Sequence, residues 1–186
     1  MFYDKPIFDN DKQRLRLYFQ SMSEQQIEAN RLLVNRFYHE LWNEHQFEIA
    51  EEIMTEDVTF HGALGKETKG ITGLIDYIRK LHDTFPDFRI SVEDLVAEEQ
   101  KIAACLTYRG THEAEIFGIE PQGQLAQFVG VGIFIVRADL ITHVWELGDR
   151  LTLLQQLNEP EHDDSILDMD SPPTDTREKR VAEWDE

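Results

Sequence analysis

The sequence predicts an α+β domain in which helices lie against one face of a curved antiparallel sheet. Up to Pro86, apolar residues recur at helical spacing. After Pro86 the spacing changes to the alternation of strands, and the segments become rich in Val, Ile, Thr and aromatic residues. Because the helices come first and the strands then follow one another, the strands are expected to pair as neighbours with the helices on one side.

Three helices are expected before Pro86. The longest, over residues 23–43, carries an apolar stripe, and Ser23 with Gln26 matches a capping box at its start. Pro86 ends the last of the three because its ring cannot continue a helix. The other elements predicted in this half are a helix at 47–54, a strand at 58–62 and a helix at 73–85.

Four strands are expected after Pro86, followed by a short helix. The polar joints at Glu99-Gln100 and Ala138-Asp139 suit hairpins, whereas residues 113–124 form a longer connection. The predicted strands are 88–100, 101–112, 125–139 and 140–148, and the leucine-rich stretch at 150–157 is the helix.

The composition narrows the classes of function. The 186 residues suffice for one ordinary domain, and the hydrophobic fraction of 41% is that of a folded protein. A net charge of −19 argues against nucleic acid and anionic membranes as partners, since both attract clustered Lys and Arg. Cys105 is the only cysteine and the N-terminus lacks the apolar stretch of a signal peptide, so a soluble, cytoplasmic protein is expected.

The last segment, residues 158–186, differs in character from the rest of the chain. It holds 11 acidic residues against 3 basic ones, with three prolines and few apolar residues. Such a segment buries too little to offset the entropy of ordering it, so an acidic disordered tail is expected.

Two stretches late in the chain carry motifs of a known family. They contain Gly110-Thr111-His112, the loop Phe117-Gly118-Ile119-Glu120-Pro121-Gln122-Gly123, a last strand with Trp145 four residues before Asp149, and Leu154-Gln155-Gln156-Leu157. The sequence thereby resembles the SnoaL-like polyketide cyclases, also called ester cyclases, over residues 23–157. Residues 1–22 and 158–186 lie outside the resemblance, and Pro121-Gln122-Gly123 departs from the family's Pro-Thr-Gly.

The resemblance implies a fold of the nuclear-transport-factor-two-like (NTF2-like) type. This is a cone-shaped α+β barrel, a curved sheet wrapped around N-terminal helices that encloses an apolar pocket. Family members are often dimeric, and the strand at 125–137 is apolar on both faces, so we expect a homodimer through the outer face of the sheet. The implied partner is a small apolar ligand, and no cofactor is expected.

Asp149 is the first candidate for a catalytic residue. In characterised cyclases of the family, an aspartate near the end of the last strand is the general acid/base, and Asp149 matches that position. Aldol closure needs such a group, because a proton leaves carbon and one returns to oxygen. The alternative is that Asp149 caps the following helix, since Asp is a favoured N-cap residue.

Glu146 is the second catalytic candidate, because alternation along the strand places it on the face opposite Trp145 and Asp149. If the even-numbered face is the inner one, Glu146 enters the interior and Asp149 lies at the rim. The alternative is a solvent-facing strand residue, and a bulge at Gly148 would alter the count.

Four residues are candidates for contacts with the substrate. His112 and Tyr108 share a face with the apolar Ile102, Ala104 and Leu106, which should point inward. His61 could reach the mouth of the pocket from the end of its strand, and Trp145 lies beside the candidate carboxylates. The alternatives are a packed core for His112 and Tyr108 and an exposed loop for His61.

Other kinds of chemistry find little support in the sequence. The histidines lack the spacing of metal ligands, and there is no Gly-x-Ser-x-Gly motif for a serine nucleophile. Cys105 and Arg109 alternate away from the apolar face. The sequence thus predicts a cofactor-independent cyclase or isomerase acting on a small apolar carbonyl compound. A non-catalytic module binding a small molecule or a protein, and a cofactor-free epoxide hydrolase using Asp149, Glu146 and Arg109, are the alternatives.

Overall fold

Residues 8–158 are described by a computed structural model, in which four α-helices, a π-helical segment and a 3-10 helix (Phe47–Ile49) accompany a six-stranded sheet. The helices are α1 (Phe8–Arg36), α2 (Ala50–Ile53), α3 (Gly70–Thr84) and α4 (Arg150–Asn158). The strands are β1 (Met54–His61), β2 (Glu67–Lys69), β3 (Arg89–Ala97), β4 (Lys101–Thr111), β5 (Leu125–Arg137) and β6 (Leu140–Gly148). The helix and strand types predicted from the sequence are confirmed at each of the predicted segments.

The sheet has the strand order β2-β1-β6-β5-β4-β3. It is curved but not closed, and it is mixed, because β1 pairs in parallel with β6 while the other pairs are antiparallel. The antiparallel pairing expected for the consecutive strands after Pro86 is confirmed for β3 to β6, and the parallel β1–β6 pair adds to it. The first and last strands carry no local signal of their pairing, and the three residues of β2 are too few to show alternation.

Helix α1 begins at Phe8, fifteen residues before the predicted start at Ser23. Its early side chains that the structure describes, including Lys12, Arg16 and Leu17, are exposed. The apolar stripe in the sequence marks only the part of the helix that packs on the sheet, so it could not reveal the earlier turns. The boundary of the domain at residue 23 remains a prediction.

The chain continues from α1 into a π-helical segment, Phe37–Asn43, which enters the core. Its buried residues are Phe37, Tyr38, Leu41 and Trp42. At its end, the Asn43 amide donates to the Ile90 carbonyl (2.8 Å) and accepts from the Ile90 N–H (2.9 Å). This pair of hydrogen bonds fixes the end of the helical segment against the edge strand β3.

The inner face of the sheet is set by alternation along β4 and, beyond a register shift near Ile141, along the second half of β6. On β4 the even-numbered residues 102–110 are buried, while Cys105 and Arg109 are exposed, as the sequence predicted. The same alternation buries Val144 and Glu146 on β6 and exposes Trp145 and Leu147. The even-numbered face is therefore the one that packs against the helices.

The tail predicted from residue 158 lies, apart from Asn158, outside the described residues, as do residues 1–7 of the predicted N-terminal extension. Within residues 8–158, no helix has both the length and the apolar character to cross a bilayer.

Candidate functional site

The interior of the domain contains a buried carboxyl group, that of Glu146 on β6. Glu146 is 2% exposed, and the other buried polar side chains that the structure describes are Asn30, Thr84 and His112. A carboxyl group enclosed by apolar side chains is costly unless it is hydrogen-bonded or protonated. The side chains around Glu146 therefore determine whether its carboxyl is charged or protonated.

Three tyrosines from three different elements surround this carboxyl. The hydroxyl of Tyr38, in the π-helical segment, donates a hydrogen bond to Glu146 Oε1 at 2.9 Å. Tyr108 of β4 and Tyr77 of α3 are both buried and interact electrostatically with Glu146. The Tyr77 hydroxyl also interacts with the backbone of Leu64. The Tyr108 hydroxyl favours the charged form of Glu146, but no described residue lies at hydrogen-bond geometry to it.

Glycines make room for each of the three tyrosine rings. A Cβ at Gly132 would collide with the Tyr38 hydroxyl, and one at Gly130 would lie 2.7 Å from the Tyr108 ring. A Cβ at Gly62 would lie 2.6 Å from the Tyr77 hydroxyl. Gly132 is also the residue paired with Glu146 across the β5–β6 ladder. The spacing of Gly130 and Gly132 on one face of β5 is therefore part of the site.

Sequence reasoning missed Tyr38 and Tyr77. Both lie at apolar positions of helices, where a tyrosine is normally interpreted as a residue of the hydrophobic core. The sequence feature that could have revealed them is the pair Gly130 and Gly132 in the predicted strand. Glycine inside a strand often marks a place where another group approaches the backbone closely. That signal shows that something approaches β5 without showing which residues do.

Burial raises the pKa of Glu146 from its ordinary value to about 7. Desolvation is the main cause, and it is partly offset by Tyr38, Tyr108 and the backbone of Ala63, which favour the charged form. Burial and the neighbouring carboxyl in turn raise the pKa of Tyr38 and Tyr108 well above their ordinary range. A carboxyl poised near neutrality beside neutral phenols is able both to accept and to return a proton.

Asp149, the first catalytic candidate, lies outside this interior. Its carboxylate is exposed at the start of α4, where Thr152 donates to it from the backbone N–H (3.1 Å) and the side-chain hydroxyl (2.7 Å). These two bonds hold the pKa of Asp149 below its ordinary value. Gly148 completes the strand without a bulge that would turn Asp149 inward, so Asp149 lies at the rim, which is the arrangement expected if the even-numbered face is the inner one. The geometry is that of a helix cap.

The four predicted substrate contacts divide between the two faces of the sheet. Trp145 is 46% exposed on the outer face and stacks on His61, with ring centroids 5.9 Å apart, so neither lies in the interior. The alternation that buries Phe60 and Glu146 directs these two neighbours outward. Tyr108 is inside, next to Glu146.

His112 is also inside, but at a different place from Glu146. It is fully buried, packs 5.6 Å from the Phe85 ring, and has no hydrogen-bond partner for either ring nitrogen among the described residues. His112 directly follows the end of β4, eight positions beyond Ala104, which is in register with Gly132 opposite Glu146. At about 3.3 Å of rise per residue, His112 belongs to the far end of the inner face.

The part of the chain that the structure describes contains no group of three or more His, Cys, Asp and Glu residues able to hold a metal ion. Arg109 is exposed on the outer face, beside Asp87. The three residues considered for an epoxide hydrolase, Asp149, Glu146 and Arg109, thus lie in three separate places.

Comparison with known proteins places the chain in a family. The profile of the SnoaL-like polyketide cyclases matches residues 32–157, which is more than half of the sequence. The chain belongs to this family. The curved sheet with helices on its inner face is consistent with the SnoaL-like, NTF2-like fold that the sequence motifs implied.

Solved structures of other proteins resemble this chain over most of their own length. TsrD from Streptomyces laurentii is 25% identical, with a TM-score of 0.62, and the match covers 70% of this chain and 95% of TsrD. A SnoaL-like polyketide cyclase from Agrobacterium tumefaciens is 23% identical, with a TM-score of 0.56, over 64% of this chain and 91% of its own. The search of curated proteins gave no match.

Proposed function

We propose that this SnoaL-like protein is a cofactor-independent cyclase or isomerase in which Glu146 is the general acid/base. The observation that carries the proposal is the buried Glu146 carboxyl, with a pKa of about 7, in hydrogen-bond contact with Tyr38. Perturbed carboxyls enclosed by polar donors are typical of catalytic sites. The family to which the chain belongs supports chemistry of the cyclase type.

The reaction that fits is proton transfer next to a carbonyl group. The Glu146 carboxylate accepts a proton from the carbon beside the carbonyl, and the electron pair of the C–H bond moves into an enolate. The enolate carbon attacks a second carbonyl of the same molecule, and the oxygen formed there takes the proton back from Glu146. The carboxylate is thereby regenerated, so no further reactant is consumed.

The substrate class follows from the side chains around the carboxyl. The surrounding rings and aliphatic groups are apolar, and the tyrosine hydroxyls are neutral because burial raises their pKa. Such surroundings suit a small, mostly apolar carbonyl compound held by a few hydrogen bonds. An ionic substrate would gain no opposite charge from these tyrosines.

A deuterium-exchange assay tests the proposal without knowledge of the natural substrate. The probe is β-tetralone in heavy water, and proton NMR follows the loss of the signal next to the carbonyl. We expect the protein to accelerate this exchange. In Glu146→Gln the rate of the protein-catalysed exchange should be lower by roughly two to four orders of magnitude. The matched control is Asp149→Asn, which keeps a capping residue on α4 and should exchange as fast as the unchanged protein.

The two catalytic candidates are separated by this pair of variants. Full activity in Glu146→Gln with loss in Asp149→Asn would return the role to Asp149. Binding of the ketone by both variants and by the unchanged protein, without exchange in any of them, would favour a non-catalytic binding module.

A further inference from the structure

The hydroxyls of Tyr38 and Tyr108 differ in a way that bears on the proposed reaction. Both rings are buried, both lie over a glycine of β5, and both interact with Glu146. The Tyr38 hydroxyl donates to Oε1 at 2.9 Å, whereas the Tyr108 hydroxyl favours the charged form of the same carboxyl without lying at hydrogen-bond geometry to it. The Tyr38 donor is therefore committed to the carboxyl, and the more loosely held Tyr108 donor can turn to a ligand.

The Tyr108 ring is held rigidly where it lies. It stacks on Phe128 with ring centroids 4.8 Å apart and planes 18° from parallel, and on Phe88 at 6.1 Å and 23°. Only glycine at position 130 allows the ring to lean across β5 toward the carboxyl. A buried hydroxyl without a full hydrogen bond raises the free energy of the protein. A ligand that accepts this hydrogen bond removes that penalty, which favours binding.

We propose that Tyr38 and Tyr108 have different roles: Tyr38 positions Glu146 by holding Oε1, and Tyr108 donates a hydrogen bond to the substrate's carbonyl oxygen. This inference rests on the proposed function. In the proton-transfer step Oε2 takes the proton from carbon, and the negative charge that develops on the carbonyl oxygen is stabilised by the Tyr108 O–H. The Tyr108 proton stays on its own oxygen, so the atoms and charges of the step are unchanged. Tyr108 is then a catalytic residue, and Tyr38 is a positioning residue.

A binding experiment with p-nitrophenol tests the role of Tyr108 apart from turnover. The phenolic oxygen of this probe imitates the enolate oxygen, and its absorbance reports the bound form. At about pH 6 the probe and the Glu146 carboxyl, which has a pKa of about 7, are both mostly protonated in solution, so the absorbance of the anion gives the amount of probe that is bound as phenolate. We expect Tyr108→Phe to weaken binding by roughly tenfold or more, the loss expected for a hydrogen bond to a charged oxygen.

Thr84→Val is the matched comparison, because it removes a buried hydroxyl that already donates to the Lys80 carbonyl at 3.2 Å and that lies outside the three tyrosines around Glu146. We expect it to change binding by less than about threefold. A fluorinated tyrosine at position 108, which keeps the ring and makes the hydroxyl a stronger donor, should tighten binding. Equal binding by Tyr108→Phe and the unchanged protein, or no binding by the unchanged protein, would overturn the role of Tyr108.

The role of Tyr38 has a different readout, the pKa of Glu146 followed by carbon-13 NMR of its carboxyl. Because the Tyr38 hydrogen bond favours the charged carboxylate, Tyr38→Phe should raise this pKa more than Tyr108→Phe does. A larger rise of the Glu146 pKa in Tyr108→Phe than in Tyr38→Phe would overturn the assignment of Tyr38 as the positioning residue. If Glu146→Gln leaves deuterium exchange intact while Tyr108→Phe still weakens p-nitrophenol binding, the general-base proposal fails and the binding role of Tyr108 stands.

Discussion

The buried carboxyl of Glu146 makes the stability of the fold depend on pH. Its pKa is about 7 in the folded protein against an ordinary 4.5, so between these values the folded state binds more protons than the unfolded state. The free energy of unfolding therefore falls as the pH rises through this window, by roughly 3 kcal/mol in total. Charging the carboxyl inside the core is the physical reason.

Glu146→Gln should remove this dependence. The amide is similar in shape and does not ionise, so the variant should gain stability relative to the unchanged protein as the pH rises from about 5 to 8. Urea unfolding at several pH values measures the difference, in which the other titrating groups cancel. Parallel stability curves for the two proteins would show that Glu146 has an ordinary pKa.

Asp149 should matter for stability rather than for chemistry. Asp149→Ala removes the acceptor for both Thr152 bonds, so we expect a lower melting temperature while the rate of β-tetralone exchange stays unchanged. Asp149→Asn keeps an amide oxygen for the backbone bond and should lose less stability. A lost exchange rate in Asp149→Asn at full stability would contradict the capping role.

At the scale of elements, the glycines of β5 control the distance between the strand and the tyrosine rings. Gly132→Ala places a methyl group where the Tyr38 hydroxyl lies, so the hydroxyl must move away from Glu146. We expect a higher Glu146 pKa, because the bond that favours the charged form is weakened. Carboxyl titration by NMR measures it, and Gly73→Ala, in α3, where a Cβ would lie 3.4 Å from the Thr68 side chain, is a control for introducing alanine.

The end of the π-helical segment is predicted to depend on Asn43. Its side chain makes two hydrogen bonds to the backbone of Ile90, and Asn43→Ala would leave both groups of β3 without them. We expect a loss of roughly 2 kcal/mol in the free energy of unfolding, since each bond contributes about 1 kcal/mol. Asn158→Ala, which removes a single exposed bond at the end of α4, should cost less.

The sequence predicted most elements because each has a local signal. Alternation located β3 to β6 and identified the buried face of β4, and helical spacing located α3 and the packed part of α1. The same alternation put Glu146 and Asp149 on opposite faces, but it could not say which face is inner. Residues Tyr38 and Tyr77 reach Glu146 only through tertiary packing, which leaves no periodic trace in the chain.

At the scale of the whole molecule, the outer face of the sheet carries an apolar patch. Val129, Val131, Ile133, Trp145 and Leu147 are each at least 38% exposed, and the register places them side by side on β5 and β6. Contiguous apolar patches of this kind are typical of protein–protein contacts. We propose that two copies associate through this face, as the two-sided apolar character of β5 indicated.

Sedimentation equilibrium at micromolar concentration measures the association. We expect a dimer for the unchanged protein and a monomer for Val131→Lys, because a charge at the centre of the patch opposes its burial. Cys105 of β4 pairs with Val131 of β5 and is exposed, so a thiol label on Cys105 should report the contact between the two copies. A monomer at all concentrations for the unchanged protein would mean that this face is covered in another way.

The contact between Tyr38 and Glu146 also determines at which stage of synthesis and folding the site can form. The two residues are separated by 108 positions in sequence, and β1, near the start of the sheet, pairs with β6, the last strand to be synthesised. A ribosome must release nearly the whole domain before either contact forms, and contacts of such long range slow the folding search. A chain that stops short of β6 lacks Glu146, so the proposed acid/base chemistry would require that β6 has been synthesised and has paired with β1.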